Sequence, residues 1–479
     1  MKIKIVGHTI GKLSLLLSIT MILPLIIAIR DHSPDRKAFF FSIMIGVGAG
    51  LILSLLKPDG SIRRKEGFAI VCLGWIVLTA IGALPYLLSG TIPSYTDAFF
   101  ETMSGLTTTG ATILTNIEGT PRGILLWRAL THWLGGMGII VLSLAVFSFL
   151  KKGAPLFQAE VPGPTPDKIL PRLKETATTL WLIYTGLTIT QVFALKFAGM
   201  PFFDSVIHAF ATVATGGFSC RGISLEAYHS PYIEGITIIF MLISGMNFSL
   251  HYRALQKKSL TPFLHDVETK TYLGIISVST FLIMINLFLK MDLSLTTAFR
   301  RSLFQVVSII TTTGFSSDNF NLWPPFAKGI IFTLLFVGGC TGSTGGSIKV
   351  ARYVILCKYA HRRIKQAINP RQIIQTKLGG VYIPDSVIHE ALAFFFIYII
   401  LFVLGSLVLM ATGEDVLTSL TASATSIGNV GPGLASIGPY ENYSSLSALA
   451  KWTLSFLMLT GRLELITVLV LFYPGFWRK

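Results

Sequence analysis

Oxygen-bearing side chains beside glycine recur four times in this chain, as Thr108-Thr109-Gly110, Ala214-Thr215-Gly216, Thr312-Thr313-Gly314 and Ser426-Ile427-Gly428. The glycines stand 106, 98 and 114 residues apart, an interval too long for a solenoid repeat. Glycine admits backbone angles that aim successive carbonyls at one axis, and threonine adds hydroxyl oxygen at the same place. With the flanking residues Ala111, Gly217, Phe315 and Asn429, the four copies would surround an axis with uncharged oxygen. That chemistry suits the dehydration of a cation better than a carboxylate cage does.

The elements that must hold these oxygens are apolar. The 479 residues are 52% hydrophobic and 13% charged, with mean hydropathy +0.67, against about 25% charged in soluble proteins. We read a polytopic membrane protein with ten spans near 9–29, 38–56, 68–89, 124–149, 178–199, 232–252, 271–289, 327–357, 386–411 and 447–473. No small-residue cleavage pattern follows the first apolar run, so the first two spans read as a retained helix pair. Four half-apolar segments, 95–106, 202–213, 295–311 and 415–425, are too short to cross about 30 Å of hydrocarbon. A half-helix ends in unpartnered carbonyls and is tolerated only where it lines water, and its negative dipole end favours a cation.

Lysine and arginine gather in alternate connections, including Lys2/Lys4/Lys12, Arg63/Arg64/Lys65, Arg253/Lys257/Lys258 and Arg352 to Lys377. These are expected on the cytoplasmic side, with both termini inside and the four short segments facing outside. Arg300/Arg301 and Arg30/Arg36 break the pattern locally, so the orientation rests on the sum. Pro155, Pro162, Pro164, Pro166 and Pro171 mark a stiff inner linker. The +16 charge is spread over these loops and not gathered on one soluble face, so no nucleic acid is expected as a partner.

A second motif interrupts the eighth span. Gly338-Gly339-Cys340-Thr341-Gly342-Ser343-Thr344-Gly345-Gly346 lacks the lysine of a phosphate loop and reads as non-helical backbone lining a cavity. Arg462 lies within the last span and must face water or a partner, since a lipid-facing arginine costs at least ~2.5 kcal/mol. Glu464, two residues on, does not face Arg462 along a helix and is expected to serve loop groups or Lys349. His132, His208 and His389 are expected to pack helices, and Asp97, Glu101, Asp204 and Glu414 to sit at or near short-helix starts. Four cysteines without CxxC spacing indicate neither a metal site nor a disulfide frame.

These motifs together resemble the Trk/Ktr/HKT superfamily of cation transporters, and most the bacterial Trk-type potassium transporter membrane subunit. The most specific pieces are Ser104 to Thr112, Thr212 to Ser219, Thr311 to Ser316 and Gly338 to Gly346. The resemblance implies an all-α fold of four parallel repeats (helix, pore helix, filter loop, helix) around one pore, beside an N-terminal helix pair. The units are then 1–60 for the pair and 61–165, 166–262, 263–370 and 371–479 for the repeats. It implies potassium bound at the filter residues named above and a gate of Gly338, Gly339, Gly342, Gly345 and Gly346 with Arg462 and Glu464. It further implies an inner-membrane homodimer and a separate cytoplasmic NAD- and ATP-binding regulatory subunit, with no other cofactor in the chain. Ser426-Ile427-Gly428 lacks the central threonine, so selectivity should be looser than in a strictly fourfold pore. A proton- or sodium-coupled potassium symporter is the alternative. An enzyme is not expected, since the spans hold no paired acids, HExxH or Ser/Lys arrangement.

Overall fold

The computed structural model describes residues 2–57, 63–150, 169–372 and 374–478, with the side chains of 64, 139–150 and 169–175 excepted. The prolines 155, 162, 164 and 166 and the unit boundaries drawn near 60 and 165 lie outside the described residues.

Helices dominate, because long apolar runs must satisfy every backbone group internally. The chain begins with Ile3–Thr20 and Ile22–Arg30, jointed at Met21, against Asp35–Ser54. The two limbs approach backbone to backbone where Gly11 meets Gly50, an approach that a Cβ on Gly11 would prevent. One pattern then repeats four times: a long apolar helix, a short helix, a turn and a second helix. The long helices are Lys65–Leu88, Thr176–Phe197, Val267–Lys290 and Asp385–Ala411. The short ones are Tyr95–Leu106, Phe202–Val213, Leu295–Ile310 and Val416–Gly428. At 1.5 Å per residue they reach about 18–24 Å, too little to span. Ser94, Ser294 and Asp415 cap three of them, their side-chain oxygens accepting amides of the first turn, while Pro201 precedes the other.

Three of the second helices are broken: the interruption of the eighth span is the one expected, and the other two depart from the continuous spans read from the sequence. Pro231–Ser244 stops at Gly245 and turns by 96° into Phe248–Lys257, which Asn247 caps. Pro325–Leu334 gives way to non-helical backbone before the basic helix Val350–Ile368. Ala448–Arg462 turns by 113° into Ile466–Phe472 through Glu464 and Leu465, both at positive φ. The breaks carry the chain sideways beneath the turns. Among the described residues, six helices are long and apolar enough to cross a membrane, or eight if each bent pair is one span. Their outer faces expose large apolar side chains such as Leu182, Phe281 and Leu404. The core lies inward, around buried residues such as Trp127, Phe304 and Trp323.

Candidate functional site

Each short helix ends in the same way. The residues Thr108, Thr215, Thr312 and Asn429 take positive φ of 52°, 54°, 59° and 53°. Their amides bond back to Gly105, Thr212, Ile309 and Ser426, and the next amides bond to Ser104, Ala211, Ser308 and Thr425. This is the paired closure of a Schellman motif, normally built on glycine. Two residues beyond stand Gly110, Gly217, Gly314 and Gly431, with φ of 86°, 82°, 80° and 97°. The sign of φ therefore alternates through each turn in the same order.

This geometry corrects the register read from the sequence in two units. The equivalent of Gly110 and Gly314 is Gly217, not Gly216, and Gly431, not Gly428. Ser426, Ile427 and Gly428 are the last residues of the fourth short helix, and Asn429 stands where the other units have threonine. Asparagine takes the left-handed conformation more readily than threonine, so a departure in sequence preserves the backbone.

The four glycines close a ring. A Cβ on Gly110 would strike the carbonyl of Gly216, one on Gly217 that of Thr313, one on Gly314 that of Val430, and one on Gly431 that of Thr109. Each unit thus rests its glycine on the backbone of the next, and the last returns to the first. Among the described residues, no protein donor serves the carbonyls of Thr109, Gly216, Thr313 or Val430. All four glycines line one side of a cavity of about 100 Å³ that also meets Arg221, Tyr440 and Glu441. At the start of the fourth short helix Asp415 is held below the usual carboxylate range, by Thr418 first and then by the Leu417 amide.

Buried polar side chains hold the turns from behind. Glu101 is not at a helix start but deep in the first short helix, fully buried. It pairs with buried Arg128 at 2.8 Å and accepts the Ile113 amide at 2.7 Å. His132 joins two units: Nε2 accepts the Phe218 amide at 3.2 Å, so Nδ1 carries the hydrogen donated to the Gly105 carbonyl at 2.8 Å. Arg128 was not singled out from the sequence. An arginine at the fifth position of the span 124–149, one turn before His132, is the available signal.

On the opposite side of the ring lies the loop 338–346. The Gly346 amide donates to Thr312 Oγ1 at 2.7 Å, and the Thr344 hydroxyl to the Val213 carbonyl at 3.1 Å. Gly345 lies against the Thr311 carbonyl, and Gly346 against that of Gly428. Gly338 donates to the Ile348 carbonyl at 2.9 Å, which closes the loop's neck. Gly339 packs on the Gly245 backbone and Gly342 on the Asn247 amide, so two of the broken second helices meet here. Arg462 donates to the Thr344 carbonyl at 2.6 Å and the Gly135 carbonyl at 3.4 Å. Glu464 pairs with Arg352, while Lys349 donates to the Gly345 carbonyl. Glu268, unremarked in the sequence, accepts the amides of Thr341 and Ala351 at 2.7 and 3.0 Å, one from the loop and one beyond its neck.

The chain has relatives of known name and of known structure that match it over its full length. Residues 35–479 match the model of the TrkH family, described as a cation transport protein. The chain is 40% identical to the Trk system potassium uptake protein TrkH of Salmonella typhimurium over 485 residues, covering 100% of both. It is 35% identical to the Trk system potassium uptake protein TrkG of Escherichia coli, covering 99% of that protein. The crystal structure of the potassium transporter TrkH from Vibrio parahaemolyticus superposes with a TM-score of 0.91 at 36% identity, covering 100% of both chains. By a family match over residues 35–479 and a whole-length match in sequence and backbone, the chain belongs to the TrkH family of cation transport proteins.

Proposed function

We propose that this protein takes up potassium through a pore whose selectivity filter is the ring of four turns. The closed ring of glycine-to-carbonyl contacts, whose carbonyls have no protein donor, carries this reading. Potassium sheds water onto the carbonyls of Thr108 to Gly110, Thr215 to Gly217, Thr312 to Gly314 and Asn429 to Gly431. The loop 338–346 is the gate: it reaches the undersides of the second, third and fourth turns, and Arg462 clamps it with positive charge on the ion's path. Conduction requires the loop to leave Thr312 and Arg462.

The ring faces outside, both termini face the cytoplasm of a cell with an inner membrane, and the repeats follow the 61–165, 166–262, 263–370 and 371–479 division. The protein works as a homodimer with a cytoplasmic nucleotide-binding regulator on the basic stretch Arg352 to Lys377. The names of the relatives, Trk system potassium uptake proteins, support the substrate and a multi-subunit system. The test is rubidium uptake into proteoliposomes driven by a potassium gradient, with sodium as competitor. Uptake blocked by potassium and little by sodium is expected, and Arg462→Ala should raise it. Equal block by both ions overturns the filter assignment. Loss of uptake in a folded Arg462→Ala protein overturns the gate, and a fixed proton or sodium coupling ratio replaces the passive pore with a symporter.

A further inference from the structure

Aligned on the left-handed residue of each turn, the four short helices place one side chain in a common position seven residues earlier: Glu101, His208, Gln305 and Ala422. The first three reach the outer limb of their own turn. Glu101 accepts the Thr112 hydroxyl at 3.0 Å, His208 Nε2 bonds the Ser219 hydroxyl at 3.0 Å, and Gln305 donates to the Phe315 carbonyl at 3.4 Å. Thr112 and Ser219 both stand four residues after the left-handed residue. Ala422 offers only a methyl, and the fourth turn is held instead by Tyr443, whose hydroxyl donates to the Gly431 carbonyl at 2.7 Å.

The position therefore carries a carboxylate, an imidazole, an amide and a methyl on one backbone plan. The plan itself does not require a charge there. Yet the first unit buries a full ion pair, which costs several kcal/mol of desolvation per ion, and directs its bonds to the turns. Arg128 donates to Glu101, to the Thr112 hydroxyl at 3.1 Å and to the Ser219 carbonyl of the second turn at 3.1 Å. Its guanidinium also lies 4.1 Å from the Phe218 ring centroid.

We infer that Glu101 and Arg128 are positioning residues for selectivity: they fix the width of the ring between the first and second turns, so that it does not contract around an ion smaller than potassium. Charge-assisted bonds are short and stiff, and two adjacent turns share them. The inference rests on the filter reading above and adds to it which side chains set the discrimination.

The test is the ratio of potassium to sodium needed to block rubidium uptake, measured for Glu101→Gln, Thr112→Val and, as a control, Asp97→Asn. Asp97 pairs with Lys451 at 2.8 Å at the start of the same helix, away from the turns. Glu101→Gln keeps the shape and loses the charge, and should lower the preference for potassium about tenfold, the difference between a charge-assisted and a neutral bond. Thr112→Val removes one hydroxyl without stranding a charge, and should lower it about threefold. Asp97→Asn should leave the ratio unchanged. An unchanged ratio in Thr112→Val, and in Glu101→Gln where it elutes as wild type does, overturns the inference while the filter stands. A wild-type protein without preference for potassium overturns the filter reading instead.

Discussion

Thr108, Thr215 and Thr312 hold a left-handed backbone that β-branched residues avoid, at roughly 1–2 kcal/mol each. The surroundings impose it: the Schellman bonds behind, the neighbouring glycine in front and, at Thr312, the Gly346 amide on its hydroxyl. The register of the fourth turn yields a direct prediction. Gly431→Ala sets a Cβ against the Thr109 carbonyl at φ 97°, and should abolish selective rubidium uptake in a protein destabilised by about 2 kcal/mol or more. Gly428→Ala is helical and meets the Leu335 carbonyl at 3.0 Å, so it should cost far less, under about 1 kcal/mol by thermal unfolding, and keep selectivity. The reverse order of effects would restore the sequence-based register. Sequence reading found the first and third turns because Thr-Thr-Thr-Gly leaves one glycine to choose. In the second turn, where Gly216 and Gly217 are adjacent, the sequence sets the register one residue early, and the positive φ of Gly217 and its contact with Thr313 distinguish the two. It missed the fourth because similarity of side chains pointed to Ser-Ile-Gly, whereas Asn429 reproduces the conformation with a different residue.

Among the elements, the glycine-rich loop was legible from composition alone, since glycine, serine and threonine cannot continue an apolar helix there. The other breaks were less so. Gly245 followed by the Asn247 cap is a local signal for the end of the second unit's helix. Leu463-Glu464-Leu465 contains none, although Glu464 and Leu465 take positive φ where Glu464 pairs with Arg352. The partner of Glu464 was equally out of reach, because Arg352 lies 112 residues away. The base of the loop 338–346 offers a test of the proposed gate as an element. Glu268 ties the amides of Thr341 and Ala351 to the N-terminal end of Val267–Lys290, and amide bonds to a carboxylate are worth about 1.5–3 kcal/mol. Glu268→Ala should therefore speed hydrogen exchange at both amides by about tenfold or more and raise basal rubidium uptake. Unchanged exchange at Thr341 would remove Glu268 from the gate's support.

For the whole molecule, apolar spans and charge alternation anticipated a membrane protein with four short helices, and the positions of those helices agree closely with the structure. The proline-rich linker falls outside the described residues. Sidedness is testable through the cysteines: Cys72, Cys220 and Cys340 are buried, and Cys357 is exposed on the basic helix Val350–Ile368. A membrane-impermeant maleimide should label Cys357 in inverted vesicles and not in right-side-out ones, and labelling from the outer face would reverse the proposed orientation. A cytoplasmic regulator seated on Arg352 to Lys377 should protect the same thiol.

The ring of glycines also bears on how such a protein is made. Going around it, each contact joins one unit to the next along the chain, except the last, where Gly431 returns to Thr109 and Asn429 Nδ2 bonds Thr109 Oγ1 across 320 residues. Three junctions become available as successive repeats enter the bilayer, but the circle stays open until the final repeat has inserted. A ribosome that stalls after the third repeat leaves a fragment with no completed ring. Closure at the far end of synthesis thus ties the appearance of a complete ring to the insertion of the fourth repeat.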